Sequence, residues 1–265
     1  MPYNLFRNTA GVDGGTTHTK ITWMFGGVQH FRSTAKVPLQ QIINEMQGQV
    51  THIRCIGTRV PPELTQHFEV IPLTDKDPIK AEARIQAQGA RVLLNNKKIG
   101  RHLVVSVGTG VSYTLVFMGK SFKLPVGNSL GGGFLEGVRK LQGVETHHEF
   151  DALALQGKPL DLFIRDVIPN HPYGDFVLSN LGNVGDDALQ IDVCHSFVHV
   201  VATAIAKDIA VYGMLTPNVV FVGNTLKMKS LRNMLYHMMI ALGKKPYFPQ
   251  NLGFAGAMGA CVAVK

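Results

Sequence analysis

The feature that most constrains this chain is an internal repeat. Residues Gly11-Val12-Asp13-Gly14-Gly15-Thr16-Thr17-His18-Thr19-Lys20-Ile21-Thr22-Trp23-Met24-Phe25-Gly26 read as strand, glycine turn, strand, glycine turn. Residues 104–119, which include Ser106-Val107-Gly108-Thr109-Gly110-Val111-Ser112, read the same way. In each unit the first turn presents backbone N–H groups in a concavity suited to phosphate. Duplication of such a unit predicts two lobes of similar build with a triphosphate site between them. This points to a nucleotide phosphotransferase.

The copies continue beyond the hairpin. Ile21–Phe25 and Val28–Phe31 flank Gly26-Gly27, the two-glycine signal for a tight turn, and Tyr113–Phe117 and Ser121–Leu124 flank Met118-Gly119-Lys120. A further strand ends in glycine in each half, at Gly57 and at Gly223. Helices fill the intervals, giving an alternating α/β pattern. Apolar residues at 231, 234, 235, 238, 239 and 242 mark one buried helical face, and Gly243 follows as its C-terminal cap. Residues 193–211 form a longer apolar helix whose His195 and His199 share a face without a third metal ligand, so they read as structural. A polar link at residues 95–100 divides the chain into an N-terminal lobe, 1–100, and a C-terminal lobe, 101–265.

Bulk properties exclude other classes. With 45% hydrophobic and 17% charged residues the chain is globular, and no unbroken apolar run reaches the roughly 18 to 20 residues that cross a bilayer. Residues 1–7 lack a basic region followed by an apolar one, so the expected location is cytoplasmic with no membrane partner. Cys55, Cys194 and Cys261 are odd in number and far apart, which reads as buried thiols. The net charge of +8 is scattered rather than gathered into a stripe interleaved with aromatics. That pattern suits an anionic small molecule and does not suggest nucleic acid.

Thr114 stands where a Walker A loop ending Gly119-Lys120-Ser121 would need glycine, and no dinucleotide fingerprint follows a strand. Three glycine clusters remain. In Asp13 to Lys20 an aspartate can hold Mg²⁺ while N–H groups and threonine hydroxyls meet phosphates. Gly131-Gly132-Gly133 opens a helix, where bare backbone and the positive dipole end favour phosphate. Asn251 to Ala260 is a small-residue helix that must pack closely against either a neighbouring helix or an adenosine.

Taken in order along nearly the whole chain, these motifs resemble those of the type II pantothenate kinases, within the actin-like, sugar-kinase and Hsp70 superfamily. Ser106 to Ser112, Leu130 to Gly133, Ser179-Asn180-Leu181-Gly182, Val222-Gly223-Asn224, Lys244 to Phe248 and Asn251 to Gly259 carry the resemblance beyond the first loop. It implies a duplicated ribonuclease H-like, actin-like ATPase fold with mixed sheets flanked by helices, a homodimer, and ATP-dependent phosphorylation of pantothenate, the first step of coenzyme A synthesis.

It also implies roles. Glu82, six residues before Gln88-Gly89, matches the general base, although sequence alone would read it as a solvated helix residue. Asp13, Gly14, Gly15, Thr16, Thr17 and Lys20 would meet Mg²⁺ and phosphates, with Asp13 holding the metal. Gly108, Thr109, Gly110 and Gly131, Gly132 and Gly133 would meet the nucleotide, Thr109 and Ser112 the acceptor or the transferred group, and Gly223 and Phe254 the adenosine.

The family has an arginine where this chain has Leu124. Lys123 is adjacent but would occupy the opposite strand face unless a bulge or shift re-aims it, and Arg59 is the other cation that could enter the cleft. Two further readings stay open on this basis: a kinase of the same fold acting on another small hydroxyl compound, such as an amino sugar, and a non-catalytic nucleotide-binding relative.

Overall fold

The computed structural model describes residues 8–15, 18–57, 59–73, 77–95, 99–172 and 174–263. The first repeat folds as β1 (Thr9–Gly14), β2 (Thr19–Phe25), β3 (Val28–Ser33), α1 (Leu39–Met46), β4 (His52–Gly57), α2 (Glu63–His67), β5 (Glu69–Pro72) and α3 (Pro78–Leu93). The second begins with β6 (His102–Val107), β7 (Val111–Phe117), β8 (Lys120–Asn128), α4 (Gly132–Leu141) and α5 (His147–Gln156). An inserted arm follows, with β9 (Leu162–Phe163), α6 (Ile164–Val167) and β10 (Val177–Ser179). The repeat then closes with α7 (Gln190–Tyr212), β11 (Asn218–Val222), α8 (Lys229–Ala241), β12 (Lys245–Tyr247) and α9 (Ala255–Val262).

The two five-stranded sheets have orders β3-β2-β1-β4-β5 and β8-β7-β6-β11-β12, so they match strand for strand. In both, the first three strands are antiparallel and the last two run parallel to the first. Both hairpins close through two consecutive residues of positive φ, Gly26-Gly27 and Met118-Gly119, a geometry whose twist matches that of the strands. Lys120 belongs to the strand rather than the turn, and β8 runs on to Asn128, beyond the expected end at Leu124. Helix α8 ends as read: Gly243 at φ 68 donates to Ile240, and Lys244 donates to Met239 at 2.8 Å.

Period-two alternation sets the layers. Ala10, Val12, Ile21 and Trp23 face an outer core with α1 and α2. In the second lobe Leu103, Val105, Val107 and Tyr113 face a larger core built with α4, α5, α7 and α8. The inner faces receive α3 and α9, which pack against each other between the sheets. Each of these helices crosses over. Ala87 and Ala90 of α3, with Leu94 that caps it, meet Val104, Val220 and Val222 of the second sheet, while α9 lies on β1 and β4 of the first.

The close partner demanded by the small residues of α9 is therefore protein. A Cβ on Gly259 would stand 1.8 Å from the Ile85 carbonyl oxygen, one on Gly89 would stand 1.8 Å from that of Ala255, and one on Gly11 would stand 1.9 Å from that of Ala257. Only glycine allows the three backbones to approach this far.

Helix α7, with the turn after it, is long and apolar enough to span a membrane by length and composition, which counting unbroken apolar runs did not reveal. One face, with Cys194, Val198, Val201, Ala202, Ile205 and Ile209, lies in the second-lobe core. His195 and His199 are structural as read: their Nδ1 atoms lie 2.8 Å from the Ala154 carbonyl oxygen and 2.5 Å from buried Asp161. The three cysteines are buried thiols.

Candidate active site

Between the lobes opens a cleft of about 900 Å³. Asp13, Gly14, Gly15, Lys20 and Glu82 line it from the first lobe, and Gly108, Thr109, Gly110, Ser112, Gly132, Gly133 and Gly223 from the second. Thr16 and Thr17, expected at the phosphates, lie outside the described residues.

Two predicted residues do not face the cleft. Gly131 is buried as the cap of α4, where a Cβ would stand 2.7 Å from the Thr109 carbonyl oxygen. Phe254, expected beside the adenosine, is turned into the first sheet, edge-on to Phe31 with ring centroids 5.2 Å apart; Leu252 and Gly253 face the cleft instead. Sequence marked the segment but could not give the direction of its ring.

The first lobe supplies the charge. Asp13 and Lys20 are register partners across the β1–β2 hairpin, with Nζ 3.8 Å from Oδ2. Burial raises the Asp13 pKa and Lys20 opposes the rise. α9 begins above this carboxylate, and a Cβ on Gly256 would come within 2.4 Å of Asp13 Oδ2, so glycine there keeps the carboxylate in place.

Glu82 reaches the cleft from α3. That helix starts at Asp77, whose side chain accepts from the N–H groups of Ile79 and Lys80, with Pro78 in the first turn. Oε1 of Glu82 accepts a 2.8 Å hydrogen bond from Gln86. The surrounding walls, and then Asp13, push its pKa up, while Lys20 and Lys123 pull it down.

Lys123 is the cation that stands where the arginine was missing. β7 and β8 change register between Ser112 and Thr114: Ser112 pairs with Gly127 and Thr114 with Lys123, so Leu124, Pro125 and Val126 oppose Tyr113 alone. Leu124 packs on the outer core, whereas Lys123 lines the cleft. Its Nζ donates to the carbonyl oxygens of Leu124 and Val126 at 3.1 and 3.2 Å. Arg59 does not line this cleft but an adjoining recess of about 300 Å³, which shares Gly15 and His18 with it.

The second lobe offers packed backbone and hydroxyls. Gly132 N–H donates to Gly108 O at 2.7 Å, Gly133 N–H to Thr109 O at 2.9 Å, Gly108 N–H to Gly110 O at 2.9 Å, and Thr225 Oγ1 to Gly108 O at 2.9 Å. The reading of Gly132 and Gly133 as bare donors waiting for phosphate is therefore corrected. Their N–H groups fasten α4 to the β6–β7 turn, and the glycines are needed because a Cβ on Gly132 would meet Thr225 Oγ1 at 2.4 Å.

Sequence reasoning passed over Ser106, Asn128, Glu136 and Lys227, all of which line the cleft. Ser106 carried a legible signal, being polar within Val104-Val105-Ser106-Val107. Glu136 is bound by Arg139 and Lys140, with His147 also near, and these hold its carboxyl down at about 2.

Comparison with known proteins agrees with this geometry. A family model described as Fumble matches residues 25–263. A Staphylococcus epidermidis protein named type II pantothenate kinase is 25% identical over 272 residues, covering 94% of this chain and 98% of its own. A Staphylococcus aureus protein of the same name is 25% identical over 271 residues, covering 94% and 97%.

Among solved structures, the activator of the 2-hydroxyisocaproyl-CoA dehydratase from Clostridium difficile, with bound ADPNP, superposes with TM-score 0.65 at 14% identity over 96% of this chain and 92% of that one. Component A of the Acidaminococcus fermentans (R)-2-hydroxyglutaryl-CoA dehydratase gives 0.63 at 18%, covering 96% of both chains. A ROK family glucokinase from Streptomyces griseus, in complex with glucose and AMPPNP, gives 0.55 at 12%, covering 96% and 97%. At these identities the likeness is one of fold, and that fold is the duplicated, actin-like architecture expected.

Proposed function

This chain belongs to the Fumble family, and from that membership we propose that it transfers the γ-phosphoryl group of ATP to pantothenate, releasing ADP and 4′-phosphopantothenate at the start of coenzyme A synthesis. The observation that carries the reading is that Glu82 lines one cleft with Lys123 and the Asp13–Lys20 pair, all of whose charges act on it. A carboxylate set among cations is what transfer to an alcohol requires.

Glu82 accepts the proton of the primary hydroxyl as its oxygen bonds to the γ-phosphorus. The bond to the β–γ bridging oxygen breaks, its electrons leave on ADP, and the proton passes from Glu82 to water. The raised pKa brings the base nearer to working pH. Lys20 and Lys123 lie against the transferred charge, and Ser112 and Thr109 face the acceptor from the second lobe.

Asp13 fits Mg²⁺. Its carboxylate is hydrogen-bonded by no described residue, and no cluster of three or more His, Cys, Asp or Glu exists among the described residues. This suits an ion held through one carboxylate, water and substrate phosphates. When bound, it supplies neutralisation of the β- and γ-phosphate oxygens.

We assign the partner of the apolar arm as a second copy of the chain. Val167, Ile168, Phe176, Leu178, Val184 and Leu189 are all exposed there, an apolar concentration suited to a subunit interface. Sedimentation should show a dimer. ADP release from Mg-ATP with pantothenate, beside a panel of sugars and a blank without acceptor, tests the activity. Turnover only with pantothenate is expected. Turnover with a sugar alone would move the reading to another acceptor, and silence despite ATP binding would sink it.

A further inference from the structure

Lys227 stands in the cleft without a counter-ion among the described residues. It ends the 3-10 turn Asn224–Lys227, which leaves β11 through Gly223 at φ 112. Its Nζ lies 5.8 Å from the centre of the Phe254 ring, so the ring that was expected beside the adenosine instead backs this lysine. Among the described residues Nζ makes no hydrogen bond and no ion pair. The three carboxylates lining the cleft are engaged elsewhere: Asp13 with Lys20, Glu82 with Gln86, and Glu136 with Arg139 and Lys140.

The charged groups that do act on Lys227 are cations of the facing lobe, Lys36 and Lys20. The surrounding walls and these two charges hold its pKa below the ordinary lysine value. No described residue offsets the charge of this exposed ammonium, which lines the cleft and feels like charge from the facing lobe. A polyanion lying between the lobes would.

We propose that Lys227, with Lys20 opposite, forms a cationic clamp on the phosphate chain of the nucleotide. Empty, Lys227 is repelled by Lys20 and by the nearby Lys36; occupied, the anion between Lys227 and Lys20 attracts both. The inference rests on the reading of the cleft as an ATP site and adds to it a phosphate ligand from the second lobe, whose packed glycine turns carry no charge.

The test is Lys227→Met, with adenosine, ADP and ATP titrated calorimetrically into the whole protein at two ionic strengths. ATP affinity should fall about tenfold or more, the order expected for a lost charge-assisted contact. Adenosine affinity should stay unchanged, the salt dependence of ATP binding should become shallower, and Lys227→Arg should restore most of the loss. The melting midpoint of the nucleotide-free variant should equal or exceed that of wild type, because a like-charge cost has been removed.

Unchanged ATP affinity would overturn the clamp. So would an equal loss for adenosine and ATP with a lowered midpoint, which would make Lys227 a packing residue. If wild type itself fails to bind ATP, the kinase reading falls and the clamp falls with it. The first two outcomes remove the clamp alone.

Discussion

The two lobes place a cross-strand pair at the same point of the same hairpin, and the pairs differ in kind. In the first lobe Asp13 faces Lys20 across β1 and β2; in the second, Ser106 faces Ser112 across β6 and β7. Both pairs line the cleft. Gly57 and Gly223 are likewise equivalent, each at positive φ and each so close to the end of its lobe's first strand that a Cβ would collide with backbone, at Gly14 and at Val107. Duplication preserved the scaffold down to these glycines while the side chains at the cleft diverged. One copy carries an acid and a base suited to metal and phosphate, and the other carries hydroxyls suited to hydrogen bonding.

The largest effect should come from the base that this asymmetry surrounds. Glu82→Gln keeps the shape and the contact with Gln86 but cannot accept a proton, so kcat should fall about 10²–10⁴-fold with ATP affinity and melting midpoint unchanged. A residual rate within threefold of wild type would remove Glu82 from the chemistry. Next comes a direct test of the unequal pairs. Asp13→Asn should lower kcat about a hundredfold and weaken the response to Mg²⁺, while Ser106→Ala should stay within a few-fold. Equal losses would mean that the lobes share the charge chemistry after all.

A third prediction concerns what joins the lobes. Gly89→Ala would drive a methyl group into the Ala255 carbonyl, and it should cost about 1–3 kcal/mol of stability, the range for overpacked interiors. The midpoint of thermal unfolding reads this directly. No change in the midpoint would show that α3 and α9 can slide apart without penalty.

Much of this was legible in the sequence because it is local. Glycine turns, apolar alternation and the Gly243 cap declared both hairpins, helix α8 and the duplication. What sequence did not show depends on contacts distant in the chain. Nothing local announces that α3 and α9 exchange sheets, or that the N–H groups of Gly132 and Gly133 are taken by the turn at Gly108 and Thr109. Phe254 was found but not its direction, since Phe31 of the other lobe decides it. Lys123 was expected to replace the arginine only if a bulge or shift re-aimed it. The register does shift between Ser112 and Thr114, and Lys123 lines the cleft while Leu124 turns to the core.

The smallest effect is the sharpest test of how the lobes cooperate. Glu82 belongs to the first lobe and Lys123 to the second, and Lys123 lowers the raised pKa of Glu82 by attracting its ionised form. A base works when ionised, so activity is lost as pH falls through that raised value. Lys123→Met removes the attraction, raises the Glu82 pKa further, and should move the acid limb of the kcat profile to higher pH. The direction would reverse only if Lys123 opposed ionisation. At a pH well above the limb, kcat should still lie below that of wild type, because the cation beside the transferred charge is gone, while Lys123→Arg should return the limb towards its original place. An acid limb that stays put in Lys123→Met would show that the two residues do not meet electrically in the working enzyme, leaving the bulge with a purely structural role. A limb that moves as expected would mean that the ionisation of the first lobe's base depends on the second lobe lying against it.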